Sequence, residues 1–275
     1  MNYSELTAKS FRLRRDVLDM IYRNNGGHFG GDFSVMDILV TLYNLHLNVT
    51  PLNATDIGRD RFVLSKGHTV AALYAVLCDR GFFPNSALET FSQFDSTYIG
   101  HPNNKVNGIE MNSGSLGHGL SVGVGMALAG KMDNTDYQVY VVMGDGELAE
   151  GSVWEGAMAA GHYKLDNITA FIDRNRLQIS GTTEEIMTQD CQTERWSAFG
   201  WNVIEVNGHD IREIDIAITS AKDFKGKPTV IIANTIKGYG FSEAENNVGW
   251  HHKVPNEKQY EAATAELKLR EADAK

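Results

Sequence analysis

An apolar run over residues 137–143 ends in Gly144-Asp145-Gly146-Glu147, and thirty residues after Asp145 stands Asn175, at the end of a second apolar run that starts at Ile168. Oxygen is the ligand atom that a hard divalent cation takes, and Mg²⁺ in particular binds few protein oxygens and completes its shell with water and phosphate. The Asp145 carboxylate, the Asn175 amide oxygen and the backbone carbonyl of Leu177 make up such a partial shell. Gly146 has no side chain and lets the backbone approach a diphosphate, at the start of a helix read over residues 152–164 whose amino end favours anions. Alone, a Gly-Asp-Gly triplet is also an ordinary loop turn after a buried strand. The two strand contexts and the thirty-residue spacing favour the ligand site.

Both oxygens reach one ion only if their strands are neighbours, because in an open α/β sheet ligands sit beyond the carboxyl ends of the strands. Both runs are almost wholly apolar, as parallel strands covered on two faces should be. Further strands are expected over 61–65, 201–206 and 229–233. Helical spacing of apolar residues covers 3–23, 33–46, 69–79 and 211–221, and Asn24-Asn25-Gly26-Gly27 stops the first of these helices. This alternation gives an α/β class with a doubly wound, mostly parallel sheet flanked by helices. Residues 1–275 parse as a single domain, and 256–275 as a largely solvated helical tail.

Composition narrows the function classes. A net charge of -10 excludes a general positive field for nucleic acid or anionic lipid, which leaves room for a local anion site. No apolar run approaches the roughly 20 residues that cross a bilayer, and the charged N-terminus lacks the apolar core of a signal peptide. A cytoplasmic protein is expected. Cys78 and Cys191 are too few and too far apart for a disulfide framework or a zinc site, and each is expected to be a buried thiol. Eleven of the 27 glycines fall between Gly100 and Gly151, so close backbone approach is expected there.

Gly-Asp-Gly, about thirty residues, then Asn at a strand end resembles the signature of thiamine-diphosphate enzymes. With GDGELAEGSVWEGAMAAGHYKLDN, DRNRLQISG, DRFVLSKGH, GSLGHG and KGYGFSE in this order, the sequence is similar to the transketolase family, in the domain that holds the cofactor's diphosphate. The resemblance spans residues 10–260. It implies thiamine diphosphate with Mg²⁺, or Ca²⁺ or Mn²⁺ in its place, held by Asp145, Asn175 and Leu177. It also implies that His28, His68, His101 and His251 line the active site, with His68 and His251 reaching the diphosphate and His28 and His101 facing the substrate. Imidazoles suit that place because sugar hydroxyls and a developing alkoxide need neutral donors and acceptors that exchange protons near pH 7.

By the same resemblance, Gly114, Ser115 and Leu116 lie along the cofactor, and Gly144, Gly146 and Glu147 border it; the glycine-rich stretch is otherwise a plain helix start, and Glu147 a solvated acid there. Ile179 is an apolar wall for the cofactor or a core position. Glu150 matches a carboxylate that links paired active sites. Lys237 is a charge beside the diphosphate or a solvated loop residue, and His118 is as suited to packing as to catalysis. Asp173 and Arg174 orient the loop. Phe29 replaces a common proline and should alter the floor of the substrate pocket.

The family's pyrimidine-binding domain, with the glutamate that helps activate the cofactor, has no counterpart here. The chain is therefore expected to be the N-terminal subunit of a split transketolase, transferring two-carbon ketol units from a ketose phosphate to an aldose phosphate beside a C-terminal subunit, in an α₂β₂ assembly. The alternatives are a split enzyme specialised for a sulfosugar or branched-sugar phosphate, a deoxyxylulose-phosphate-synthase-like or dehydrogenase-like activity, and a non-catalytic thiamine-diphosphate-binding regulatory subunit. The four histidines argue against the last.

Overall fold

In the computed structural model, residues 2–189 and 191–275 are described. Helix α1 (Tyr3–Asn24) opens on a capping box, in which the Asn2 side chain accepts from the Glu5 amide at 2.8 Å and the Glu5 carboxylate from that of Asn2 at 2.9 Å. It stops at Asn25, whose φ of 52° is left-handed. Helix α2 (Phe29–Thr41) starts four residues before the apolar spacing predicts. The cause is packing: a Cβ on Gly30 would lie 2.8 Å from Lys237 Cγ, and one on Gly31 2.7 Å from Thr69 Cγ2. A π-helical turn over Leu42–His46 ends it.

Then follow β1 (Arg61–Leu64), α3 (Val70–Asp79), α4 (Gly119–Met132), β2 (Val139–Gly144), α5 (Gly151–His162) and β3 (Ile168–Arg174). A small hairpin of β4 (Leu177–Gln178) and β5 (Gly181–Thr182) leads into the short helices α6 (Thr183–Ile186) and α7 (Gln192–Ala198). The chain closes with β6 (Asn202–Asn207), α8 (Ile211–Asp223), β7 (Thr229–Asn234) and α9 (Glu257–Asp273). Helix α4 is not legible in the spacing because glycine and alanine fill it.

The five long strands form one parallel sheet in the order β1-β2-β3-β7-β6. Gly144 is level with Asp173, and Asp173 with Ala233, so β2, β3 and β7 end together. Side chains alternate between two cores. Val139, Val141 and Met143 pack under α4 and α5, whereas Tyr140 and Val142 pack on the opposite face, under α2 and α8. Burying each such aliphatic side chain stabilises the fold by about 1.5–3 kcal/mol, which is why β2 is apolar from Val139 to Met143.

Helix α9 is solvated over most of its surface but anchored on α1, with Ala263 and Leu267 fully buried and Tyr260 stacked on Tyr22 at 4.2 Å. No helix among the described residues is long and apolar enough to cross a membrane. Cys78 is buried as expected, but Cys191 is exposed, in a left-handed conformation (φ 61°) just ahead of α7. The spacing of cysteines carries no information about such a turn.

Candidate functional site

The common end of β1, β2, β3 and β7 is the floor of a cleft of about 350 Å³. Its hub is Asp173, at the end of β3 and wholly buried. Its carboxylate receives the Lys66 ammonium from beyond β1, the Ser34 hydroxyl of α2 at 2.6 Å and the Thr235 hydroxyl from beyond β7. Burial raises its pKa, and Lys66 with the two hydroxyls more than offsets this, holding it below the usual carboxylate range. Removing one partner from such a buried pair costs about 3–5 kcal/mol. Lys66 has thus left the surface to hold four elements in register.

Glu147 differs from the sequence reading. Instead of a solvated acid at a helix start it is 2% exposed. Its Oε1 accepts from the Gly117 amide at 2.8 Å and from the Ser65 hydroxyl, and its Oε2 from the Gly144 amide at 3.1 Å. It therefore fastens the glycine-rich loop to the ends of β1 and β2. The turn after Asp145 folds the side chain back under the loop, and linear spacing does not show that. Gly117 accommodates this with a φ of 83° and no room for a Cβ, which would lie 2.6 Å from Glu150 Cβ.

Asp145, Asn175 and Leu177 all line the cleft. Asp145 Oδ1 accepts from the Gly146 amide at 2.9 Å and Oδ2 from that of Arg176; Asn175 Oδ1 accepts from the Leu177 amide at 3.2 Å. Burial, and then the Asp173 charge, push the Asp145 carboxyl up to about 6. A cation would relieve that charge. The Leu177 carbonyl receives Lys237 Nζ at 3.0 Å, and a carbonyl oxygen has a second lone pair for another partner. No group of three or more His, Cys, Asp or Glu among the described residues is placed to hold a metal. One carboxylate, one amide and one carbonyl instead fit a hard ion that takes the rest of its ligands from water and phosphate.

Four histidines surround His28, and of these five His28, His68 and His251 line the same cleft. Ring centroids lie 5.1 Å away for His68, 5.6 Å for His251, 4.6 Å for His252 and 6.2 Å for His101. Burial, then the His252, His101 and Lys237 neighbours, lower His28 to about 4; burial, then Lys237, lower His251 to about 3. His68 is held well below its usual value by burial and Lys66, and His101 is lowered by burial. These imidazoles are neutral at pH 7. They are built to donate and accept hydrogen bonds, and less to exchange protons near neutrality as their residue type alone suggests. His101 stands at the exposed rim, packed on Gly114, where a Cβ would fall 2.6 Å from its ring.

Of the other sequence candidates, Gly114, Leu116, Gly144, Gly146, Glu147, Ile179 and Lys237 line the cleft, with Ile179 standing 71% exposed at its edge. Ser115 and Glu150 are exposed outside the lining, and so is His118, whose Nδ1 lies 3.1 Å from the Leu116 carbonyl. Lys237 is not a solvated loop residue: it is 2% exposed, reaches His251 Nδ1 at 2.9 Å, and is lowered to about 8 by burial and Lys66. Phe29 is not on the pocket floor. It is fully buried, stacked on Phe33 at 3.9 Å and packed on Trp250, because α2 begins at this residue and turns it inward.

Sequence reasoning missed Gly31, Lys66, Gln178 and Ser180 in the lining and His252 beside it. The pairing of His251 with His252 was the one available signal for the last. Gln178 Oε1 is buried without a partner, an acceptor facing a cleft with two ammonium groups.

Residues 6–270 match the family described as transketolase, thiamine diphosphate binding domain. The chain is 48% identical to one subunit of the apulose-4-phosphate transketolase of Phocaeicola vulgatus, over 98% of this chain and 96% of that protein. It is 42% identical to the 6-deoxy-6-sulfo-D-fructose transketolase subunit SqwG of a Clostridium species, over 93% of each. The transketolase of Campylobacter jejuni superposes on all of this chain with a TM-score of 0.91 at 32% identity, and the match covers 46% of that longer protein. The chain thus spans about half the length of the solved transketolases it matches.

Proposed function

The chain belongs to the transketolase family, and on that premise we propose that it is the diphosphate-binding subunit of a two-subunit transketolase that uses thiamine diphosphate and Mg²⁺. The observation that carries this reading is the convergence of Asp145, Asn175 and Leu177 on one cleft that three neutral histidines and two buried ammonium groups also line. Asp145, Asn175 and Leu177 are the metal's protein ligands. Gly144 and Gly146 leave room for the diphosphate, which Lys237, His68 and His251 reach, while Gly114, Ser115, Leu116 and Ile179 border the rest of the cofactor. When bound, thiamine diphosphate supplies the electron sink for breaking and making a carbon–carbon bond beside a carbonyl.

The chain's own work is orientation. His28 and His101 act on the sugar as neutral imidazoles, each able to give one hydrogen bond and take another, while His68 and His251, also neutral, reach the diphosphate. Burial keeps them uncharged, so that a hydroxyl proton can be shared at a ring nitrogen without a full charge forming in the cleft. The Asp173 hub and the Glu147 brace keep these groups fixed relative to one another. Glu147 acts on the cofactor through the loop it holds. Glu150, exposed next to that loop, is the carboxylate that joins paired sites.

The partner is a separate pyrimidine-domain protein in an α₂β₂ assembly in the cytoplasm. Two relatives of nearly the same length are named as transketolase subunits, which supports the split form. The donor is a ketose phosphate and the acceptor an aldose phosphate. A second reading, specialisation for a branched-sugar phosphate, is favoured by the 48% identity to a protein named for apulose 4-phosphate. Rate comparison of branched and unbranched donors with the assembled enzyme decides between them, and comparable selectivity constants would rule out the specialised form.

A further inference from the structure

His209 lies behind the cleft, in the turn between β6 and α8, and its side chain is 7% exposed. Each edge of its ring has one partner. Nδ1 is 2.8 Å from Asp37 Oδ2, and Nε2 is 2.8 Å from the backbone nitrogen of Ile236. One ring face stacks on Tyr239 with centroids 3.6 Å apart and planes 15° from parallel. A backbone amide can only donate, so Nε2 must accept, and the ring proton must be on Nδ1, donated to Asp37. Asp37 is in turn fixed by Arg14, whose two terminal nitrogens meet its two oxygens at 3.2 and 2.6 Å. The turn comes this close because residue 208 is glycine: a Cβ there would lie 2.4 Å from Thr235 Cγ2.

Ile236 is flanked by two residues of the site. Thr235 bonds the Asp173 hub, and Lys237 extends its ammonium to the Leu177 carbonyl and His251. We propose that His209 is a positioning residue that, as the neutral Nδ1–H imidazole, carries the fixed geometry of the Arg14–Asp37 pair to the Ile236 amide and so sets where Lys237 stands. A shift of that amide moves Lys237 relative to the metal-side carbonyl and to His251 together. The consequence for cofactor affinity rests on the reading of the cleft as the diphosphate site; the ring's protonation state does not.

Two measurements test this. Nitrogen-15 NMR of the imidazole should show the Nδ1-protonated neutral form at pH 7, and finding the Nε2-protonated form or the imidazolium would overturn the proposal. In the assembled enzyme, His209→Leu should raise the Kd for thiamine diphosphate about tenfold, while the sugar KM at saturating cofactor stays within about twofold. His209→Gln, which keeps an acceptor for Ile236 and a donor for Asp37, should restore most of the lost affinity. An unchanged Kd in His209→Leu, or a Gln variant as weak as Leu, contradicts positioning; if the Leu variant does not fold, the Gln variant and the NMR tautomer decide. Wild-type assembly that binds no cofactor would refute the functional reading and leave the tautomer test standing.

Discussion

Asp145 is a buried carboxylate with a second carboxylate behind it, and its charge is best accommodated by a cation in the cleft. Asp145→Ala should abolish Mg²⁺-dependent binding of thiamine diphosphate by the assembled enzyme, and calorimetry showing wild-type affinity would remove it from the ligand set. Glu147→Ala should lower stability by about 1–3 kcal/mol, because it strands two backbone amides and a hydroxyl in the interior, and urea unfolding reads this directly. The histidines set a pH dependence. His28 and His251 have folded pKa values near 4 and 3, below the unfolded value of 6.5, so the unfolded chain binds more protons as the pH falls. Their contribution is complete above pH 6.5 and is lost between there and pH 3, so it makes the urea midpoint fall from pH 7.5 to pH 5, against the opposite slope of Asp145, which gains stability as it protonates near pH 6. In a His28→Gln, His251→Gln variant the fall should be smaller; an equal fall would place the protons elsewhere. Both rings are partly open to solvent, which screens the effect.

Among the elements, α4 shows how the site depends on glycine. A Cβ on Gly119 would sit 2.3 Å from Ser65 Oγ and 2.9 Å from Ser65 Cα, a backbone atom that cannot swing aside. Gly119→Ala should therefore push α4 from the end of β1, strain the Ser65–Glu147 contact and cost about 1–3 kcal/mol. A melting temperature equal to that of the wild type would mean that α4 is not seated as described. The same glycines explain what the sequence hides. The parallel strands are legible because two-sided burial leaves them apolar, and the meeting of Asp145 with Asn175 follows from the strand order. Helix α4 is illegible because its residues are chosen for closeness to the sheet and not for periodic apolar bulk. The early start of α2 is hidden in the same way behind Gly30 and Gly31, which look like a loop. Glu147 and Lys237 escape a reading by residue type because a charged side chain counts as solvated until the donors and acceptors that bury it are known.

At the scale of the whole molecule, the outer face of α4 is exposed at Ser121, Val122 and Gly125, although the helix is apolar, and it lies beside the loop that carries Leu116. A symmetric assembly would cover such a face. A Cβ on Gly125 meets nothing within 4 Å, so Gly125→Arg should fold normally while blocking association. Light scattering should then show the variant failing to form the proposed α₂β₂ species with its partner, and normal assembly would mean that this face is not the interface. The most direct test of the central claim is ketol transfer by purified components in thiamine diphosphate and Mg²⁺. Turnover should appear when the chain is mixed with its pyrimidine-domain partner, be absent for either protein by itself, and stay absent when the mixed chain carries Asp145→Ala. Full turnover by the chain without a partner, or by the Asp145→Ala mixture, would contradict the account.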